Sequence, residues 1–137
     1  MNDKIKCLLV KPYELPKEII IDNTLEAKQK IVGGDIECAY LQNDNDVVLI
    51  CNREGKIKGM DLNRDIRHDI IAGPFLIVGD DYENGDFKSL TNKQIEKYKV
   101  LFDENSITKT ENKVNKIISN TINEIIEYQK KSYREER

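Results

Sequence analysis

The 137-residue sequence predicts an α+β fold: a mainly antiparallel sheet of about five strands, one or two helices packed on it, and a long C-terminal oligomerisation helix. Three observations lead to this prediction. Short β-branched runs separated by turn residues recur through the first part of the chain, as in strands joined by tight connections. Two segments among and after these runs carry apolar residues at helical spacing. A third and longer helical pattern ends the chain.

The chain begins with two predicted strands. Residues 5–10 and 18–21 are rich in β-branched side chains, which favour an extended backbone. Pro12 and Pro16 lie between these runs and disfavour helix, because proline lacks the amide hydrogen that an internal helical position donates. We therefore predict that the two strands form a hairpin.

A helix is predicted next, packed on the sheet. Asn23 or Thr24 can cap its N-terminus, because a short polar side chain at that position accepts a hydrogen bond from the first helical turn. Gly33 and Gly34 end the helix, since glycine readily adopts the left-handed conformation that follows a last turn. The apolar residues of this helix are Leu25, Ala27, Ile31 and Val32.

Three further strands and a short helical turn are predicted in the middle of the chain. Residues 36–41 and 47–51 form a second hairpin, joined by the polar residues 42–46, which tolerate the backbone of a tight turn. Residues 62–64 suit a short helical turn, and residues 75–78 form the last strand.

A helix over residues 91–102 closes the compact domain, which we assign to residues 1–102. Thr91 is its predicted cap, and Gln94 stands three residues later, as a capping box requires. Its apolar residues recur on one side and face the sheet. They are Ile95, Tyr98 and Phe102.

Residues 103–137 form a predicted helical extension, with the helix itself over about residues 110–134. At 1.5 Å per residue this helix is about 36 Å long and must overhang the domain. An exposed apolar stripe is rare in soluble monomers, so we predict a homo-oligomer joined through this face; the alternative is that the helix folds back over its own sheet. The stripe comprises Val114, Ile117, Ile118, Thr121, Ile122, Ile125 and Ile126.

Charge and cysteine content limit the partners and the cellular compartment that we expect for the protein. The formal net charge is -3, which provides no general attraction to nucleic acid or to acidic membranes. No apolar segment is long enough to span a membrane. The odd number of cysteines, all within apolar runs, indicates buried free thiols and hence a reducing, cytoplasmic compartment. These cysteines are Cys7, Cys38 and Cys51.

The sequence gives little support for catalysis, so we predict that the protein is not an enzyme and needs no cofactor. His68 is the single histidine, and no Gly-x-Ser-x-Gly motif or reactive-cysteine motif is present. Residues 80–86 are acidic, but Tyr82 and Thr91 occupy the third and twelfth positions of what would be a calcium loop. We interpret this segment as an acidic turn without a metal.

Two groups of residues are candidates for binding a small molecule. Tyr82, Phe87 and Asn92 place two aromatic rings and an amide near the start of a helix, where a base can stack and a phosphate can accept hydrogen bonds. The alternative is that Phe87 belongs to the core and Tyr82 covers its edge. The second group consists of cations on the long helix that could reach the phosphate of a ligand bound to a partner chain, or simply solvate that helix. They are Lys109, Lys113, Lys116, Lys130, Lys131, Arg134 and Arg137, of which we assign Lys109, Lys113 and Arg134 to the binding site.

The order of motifs resembles a small domain family found in phages, prophages and plasmids of Gram-positive bacteria, domain of unknown function 3846. The likeness covers about residues 4–102. Its motifs are Val32-Gly33-Gly34, residues 35–40, residues 47–52, Asn52-Arg53-Glu54-Gly55, Leu62-Asn63-Arg64 and residues 69–79. The arrangement of this domain followed by C-terminal helices is also similar to that of prophage proteins that sequester the cyclic ADP-ribose signal of Thoeris immunity. That second resemblance implies a phage counter-defence protein that binds a cyclic nucleotide signal without cleaving it.

A protein-binding inhibitor of a host CRISPR or restriction nuclease is the alternative function. Its acidic loops would imitate nucleic acid to the nuclease, although neighbouring arginines dilute their charge. An enzyme that degrades the signal is a third possibility, which the lack of histidine pairs and of metal-binding carboxylate motifs disfavours. The acids of the two loops are Asp44, Asp46, Asp80, Asp81 and Asp86.

Overall fold

The protein is described by a computed structural model, which covers residues 3–41 and 43–135. Within that part, eight strands and three helices follow one another along the chain. They are β1 (Lys4–Val10), β2 (Lys17–Asp22), α1 (Leu25–Val32), β3 (Ile36–Leu41), β4 (Asp44–Asn52), β5 (Leu62–Asp65), β6 (Ile70–Ala72), β7 (Phe75–Asp81), β8 (Asp86–Lys88), α2 (Asn92–Leu101) and α3 (Glu104–Glu135).

The main sheet is antiparallel, and its five principal strands lie in the order β2-β1-β7-β4-β3. Strand β8 pairs with the end of β7, and β5 pairs with β6 in a separate two-stranded sheet. The predicted α+β fold class is therefore confirmed, with its sheet of five main strands and its long C-terminal helix.

Each face of the main sheet carries its own apolar cluster, because alternate residues of a strand point to opposite faces. The first cluster includes Leu49 and Ile77 and is covered by Tyr98 of α2. The second includes Ile50 and Leu76, with Ile31 of α1 packed against it. The long strands β4 and β7 are buried on both faces, since helices cover the sheet from both sides.

The first hairpin and α1 follow their local sequence signals. Strands β1 and β2 pair with Ile5 opposite Ile21, as predicted. The Thr24 hydroxyl accepts a hydrogen bond from the Ala27 amide at 3.1 Å and caps α1. Gly33 has φ +84° and ends the helix, so both ends of α1 lie where the sequence predicts them.

The prediction of a helical turn at residues 62–64 is wrong, because these residues form strand β5. Asn63 and Arg64 are buried there and make hydrogen bonds to distant parts of the chain, which fix the extended conformation. The predicted turn at 42–46 is also too long: Gln42 lies outside the described residues, and β4 already begins at Asp44.

The prediction that all three cysteines are buried is wrong for Cys38, which lies exposed on edge strand β3. Cys7 and Cys51 are buried, and all three are free thiols. Burial raises the pKa of Cys7 to about 12 and that of Cys51 to about 11, so both stay protonated at neutral pH.

The capping box of α2 forms as predicted, with the Thr91 amide donating to Gln94 at 2.8 Å and the Gln94 amide donating to the Thr91 hydroxyl at 3.2 Å. Helix α3 begins at Glu104, several residues before the predicted start, and contains 32 residues. Residues 115–131 are exposed throughout, so the helix overhangs the domain instead of folding back over its sheet. Within the described residues no helix is long and apolar enough to cross a membrane.

Candidate functional site

A groove of about 570 Å³ lies between α2, the first turns of α3 and the connection from β5 to β6. Its volume falls within the range of roughly 300–1,000 Å³ that small-molecule sites occupy. A second groove, of about 330 Å³, lies beside α3 next to Tyr13 and is lined by Glu111 but by no cation. The larger groove is therefore the better candidate for an anionic ligand.

Tyr98 and Phe102 are the aromatic residues that form the floor of this groove, and Phe75 packs against Phe102 from the core. Phe102 meets the edge of Phe75 at 5.3 Å between ring centroids and stacks with Tyr98 at 6.3 Å. Phe75 and Tyr98 are almost fully buried, and they also belong to the core cluster under α2. The floor is thus part of the packed interior, which holds its shape without a ligand.

Asp44 lies beside the groove and holds two of its lining residues, Lys97 and Tyr98, in place. Its carboxylate accepts hydrogen bonds from the Tyr98 hydroxyl and, at 3.1 Å, from Lys97 Nζ. Burial alone would raise the pKa of Asp44, but these donors and the Asp46 amide outweigh burial and lower it below its ordinary value of 3.8. Burial and the same carboxylate raise the pKa of Tyr98, so its hydroxyl remains a donor.

We expect Asp44 to make stability depend on pH in the acid range. Because its pKa is lower in the folded state, the carboxylate stabilises the fold above about pH 4, and this contribution is lost as the pH falls through the folded-state value. Asp44→Asn should lower the free energy of unfolding by about 1–2 kcal/mol at neutral pH, since it removes charge-assisted hydrogen bonds. The measurement is urea denaturation at several pH values, and the difference between wild type and variant should shrink toward about pH 2. A difference that stays constant with pH would contradict this account.

The side chain of Arg64 connects the elements around the groove to the rest of the protein through hydrogen bonds. It is fully buried, with 0% of its surface exposed. Its Nη2 donates to the carbonyl oxygens of Glu14 at 2.6 Å and Phe102 at 3.1 Å. Its Nε donates to Ser106 Oγ at 2.8 Å, and its Nη1 donates to Asn63 Oδ1 at 2.9 Å. One side chain therefore joins the β1–β2 loop, β5 and the junction between α2 and α3.

The cations at the groove are Arg67, Lys97 and Lys109. The carboxylates of Asp65 and Asp103 also line the groove. Asp65 forms an ion pair with Lys113 at 2.9 Å. Cations at the rim of a partly apolar cleft can orient an anionic ligand while the floor buries its apolar part. The groove is therefore suited to a small anion that has a flat or apolar portion.

The predicted site residues on the sheet side lie away from this groove. Tyr82 is 68% exposed in the turn between β7 and β8. Phe87 packs against the core cluster under α1, on the sheet face opposite α2, and Lys28 Nζ lies 5.0 Å from its ring centroid. Asn92 is exposed at the first position of α2. The alternative that Phe87 contributes to the core fits this packing.

The three predicted cations of α3 occupy different places along the helix. Lys109 lines the groove, Lys113 pairs with Asp65, and Arg134 is exposed near the end of the overhang. Of the six predicted site residues, therefore, only Lys109 lines the groove, and the other five lie elsewhere in the chain. Their role in ligand binding stays a prediction.

Most acids of the two loops have partners within the chain. Asp80 accepts a hydrogen bond from the Tyr40 hydroxyl at 2.9 Å, and Asp86 accepts one from Asn23 at 3.0 Å. Asn84 donates to both carboxylate oxygens of Asp81. In the described part of the chain, no three His, Cys, Asp or Glu residues are grouped to hold a metal ion.

A family model agrees with the position of the compact domain. The model described as Domain of unknown function (DUF3846) matches residues 5–103, which end immediately before α3. The matched segment includes the floor of the groove and Arg64. No curated protein and no solved structure matches the chain.

Proposed function

The chain belongs to the family described as Domain of unknown function (DUF3846), and from this starting point we propose that it is a non-enzymatic binding protein. As a homo-oligomer in the cytoplasm of a host bacterial cell, it sequesters a cyclic nucleotide signal, such as a cyclic ADP-ribose isomer. In this proposal the protein acts as a phage or prophage counter-defence factor. The resemblance of the sequence supports the immune signal and the phage setting, and the geometry of the groove supports its choice as the binding site.

The observation that carries this proposal is the groove with its aromatic floor and the cations that line it, of which Lys97 also forms an ion pair with Asp44. A nucleotide has a flat base and at least one phosphate, and these need an apolar surface and charged donors respectively. Sequestration needs a dissociation constant on the order of 10⁻⁹ M, or about -12 kcal/mol. Affinity of this size from a small ligand requires a preformed site, because ordering a mobile site would cost binding free energy.

The alternative function, nuclease inhibition by acidic loops, has less support from the geometry. Asp44, Asp80, Asp81 and Asp86 all accept hydrogen bonds from side chains of their own chain. A surface that imitates a nucleic acid must present its charges to a partner, and intramolecular donors compete for these carboxylates. The groove therefore favours the small-molecule proposal.

The proposal is tested by retention of a ligand and by its recovery. The purified protein is incubated with a cyclic ADP-ribose isomer, freed of unbound nucleotide and denatured by heat, and the released compound is identified. We expect intact nucleotide, in proportion to the protein. A chemically altered product would overturn the non-enzymatic assignment, and no retention of any cyclic nucleotide would overturn sequestration.

Lys109→Gln should weaken nucleotide binding about tenfold, which corresponds to the loss of about 1.4 kcal/mol from one charge-assisted contact. Isothermal titration calorimetry gives the affinity. Lys93→Gln is the matched control, because Lys93 is exposed in the first turn of α2 and does not line the groove. If Tyr82→Ala abolishes binding and Lys109→Gln does not, the ligand site lies at the β7–β8 turn instead of the groove.

A further inference from the structure

The smaller groove beside α3, here called the Tyr13 groove, differs from the larger one in the charge of its lining. Its volume of about 330 Å³ is at the lower end of the range that small-molecule sites occupy. Half-buried apolar side chains form its walls, and exposed polar side chains stand at its edge. The walls are Leu62, Ile107 and Val114, and the edge consists of Tyr13, Glu111 and Asn115.

Glu111 gives the Tyr13 groove its charge. Among the described residues that line this groove, Glu111 is the only one with a charged side chain. No ion pair between described residues includes Glu111, so its carboxylate is open to a ligand. The amide of Asn63 also lines the groove, but two carbonyl oxygens and Arg64 already bond it. The groove therefore attracts a cation and repels an anion.

Tyr13 adds an aromatic ring, and the fold holds this residue in an unfavourable backbone conformation. Its φ of +66° lies in the left-handed region, which bulky side chains rarely adopt. The Glu14 amide donates to the Lys11 carbonyl oxygen at 3.2 Å and closes a turn with Pro12 and Tyr13 at its centre. In a turn with proline second and a positive φ third, the third residue is usually glycine or asparagine.

The strain at Tyr13 is not offset by burial of its ring. The Glu14 carbonyl oxygen accepts a hydrogen bond from Arg64 at 2.6 Å, and Arg64 is fully buried, so the turn is held from inside the protein. The Tyr13 side chain, in contrast, is 60% exposed. Strained residues persist where the surrounding structure fixes them, and they are frequent at ligand sites. The strained turn therefore points to a role for this ring in binding.

A carboxylate beside an aromatic ring is a combination that recognises an organic ammonium ion. The carboxylate accepts charge-assisted hydrogen bonds from the ammonium group, and the face of the ring attracts its positive charge. We propose that the Tyr13 groove binds a small organic amine in its protonated form, with the ammonium group at Glu111 and Tyr13 and the carbon skeleton against the apolar walls. A metal ion is not the ligand, because one carboxylate supplies too few oxygen atoms for hard cations.

Nuclear magnetic resonance titration of the ¹⁵N-labelled full chain with phenethylamine tests this site. We expect saturable shifts in the β1–β2 loop and in residues 107–115 of α3, with a dissociation constant below about 1 mM. Phenethyl alcohol has nearly the same shape without the charge, and it should bind at least about tenfold more weakly. A dissociation constant above about 1 mM for the amine, or equal binding of the alcohol, would overturn the inference.

Glu111→Gln should weaken phenethylamine binding about tenfold, because it removes the charge but keeps the shape of the side chain. Glu104→Gln is the matched control, since Glu104 is exposed in the first turn of α3 and does not line the groove. This control should bind the amine as the wild type does. Unchanged affinity in Glu111→Gln would contradict the proposed role of the carboxylate.

Tyr13→Asn separates a role in binding from a role in stability. Asparagine tolerates a positive φ, so this variant should keep or raise the midpoint of thermal unfolding while its affinity for phenethylamine falls about fivefold. Tyr13→Phe retains the ring and should bind as the wild type does. A lower midpoint with unchanged affinity in Tyr13→Asn would overturn the inference. This amine site does not depend on nucleotide binding in the larger groove.

Discussion

Arg64→Met should lower the free energy of unfolding by about 3–5 kcal/mol, because it leaves several buried acceptors without a donor, at about 1–3 kcal/mol for each acceptor. Burial lowers the pKa of Arg64, so the folded state bears a cost for keeping the charge inside, and methionine would remove that cost. Methionine would also leave the carbonyl oxygens of Glu14 and Phe102 without their donor. These acceptors belong to the backbone and cannot be replaced, so the loss outweighs the gain.

Urea denaturation measures the change in the free energy of unfolding. Two further variants show whether the change is specific to the Arg64 guanidinium. Arg134→Met changes an exposed arginine on the overhang and should alter the free energy of unfolding by less than about 0.5 kcal/mol. Arg64→Lys keeps the positive charge but lacks the planar guanidinium group with its several donors. Its free energy of unfolding should therefore lie between those of Arg64→Met and the wild type. If Arg64→Met were as stable as the wild type, the guanidinium would not hold the helix junction.

Asn63→Leu should cost about 3–5 kcal/mol, although leucine has nearly the same shape as asparagine. The Asn63 amide donates to the carbonyl oxygens of Val10 and Gly73, each at 2.9 Å, and its oxygen accepts from Arg64. Leucine would leave all three polar groups buried without this partner. Because Val10 lies in the main sheet and Gly73 follows β6, the substitution should loosen the small sheet from the large one.

Chemical denaturation with hydrogen exchange distinguishes this local effect from general unfolding. We expect faster exchange in β5 and β6 of the Asn63→Leu variant, while the center of β7 stays protected. Asn92→Leu is the matched control, since Asn92 is exposed on α2 and should change stability little. Asn63→Leu combined with Arg64→Met should cost less than the sum of the single changes, because the two residues share a hydrogen bond.

Elements that depend on neighbouring residues could be predicted from the sequence. Thr24 and Gly33 mark the ends of α1 through contacts within a few residues, and Thr91 with Gln94 does the same for the start of α2. The hairpin of β1 and β2 also follows from adjacent runs of apolar residues. In each case the deciding interactions are short in sequence, so a local pattern contains them.

Strand β5 shows why other elements could not be predicted. Its four residues are too few to show a useful periodicity, and the strand is fixed by the side chain of Asn63, which donates a hydrogen bond to the carbonyl oxygen of Val10, 53 positions earlier. The groove has the same origin, because Asp44 meets Tyr98 and Asp65 meets Lys113 only after folding. Lys109 could be proposed from its place on an amphipathic helix, whereas no local pattern marks Arg64 as the residue that joins the groove to the domain.

In the proposed homo-oligomer, the exposed overhang of α3 would make the lifetime of the protein depend on its own abundance. Proteases cleave chains that are exposed and locally unfolded, and a lone helix without tertiary packing frays readily. When few copies are present, subunits would stay separate and their tails would be trimmed. Once synthesis raises the concentration, mutual shielding would slow that turnover, so the protein would accumulate abruptly instead of in proportion to its production.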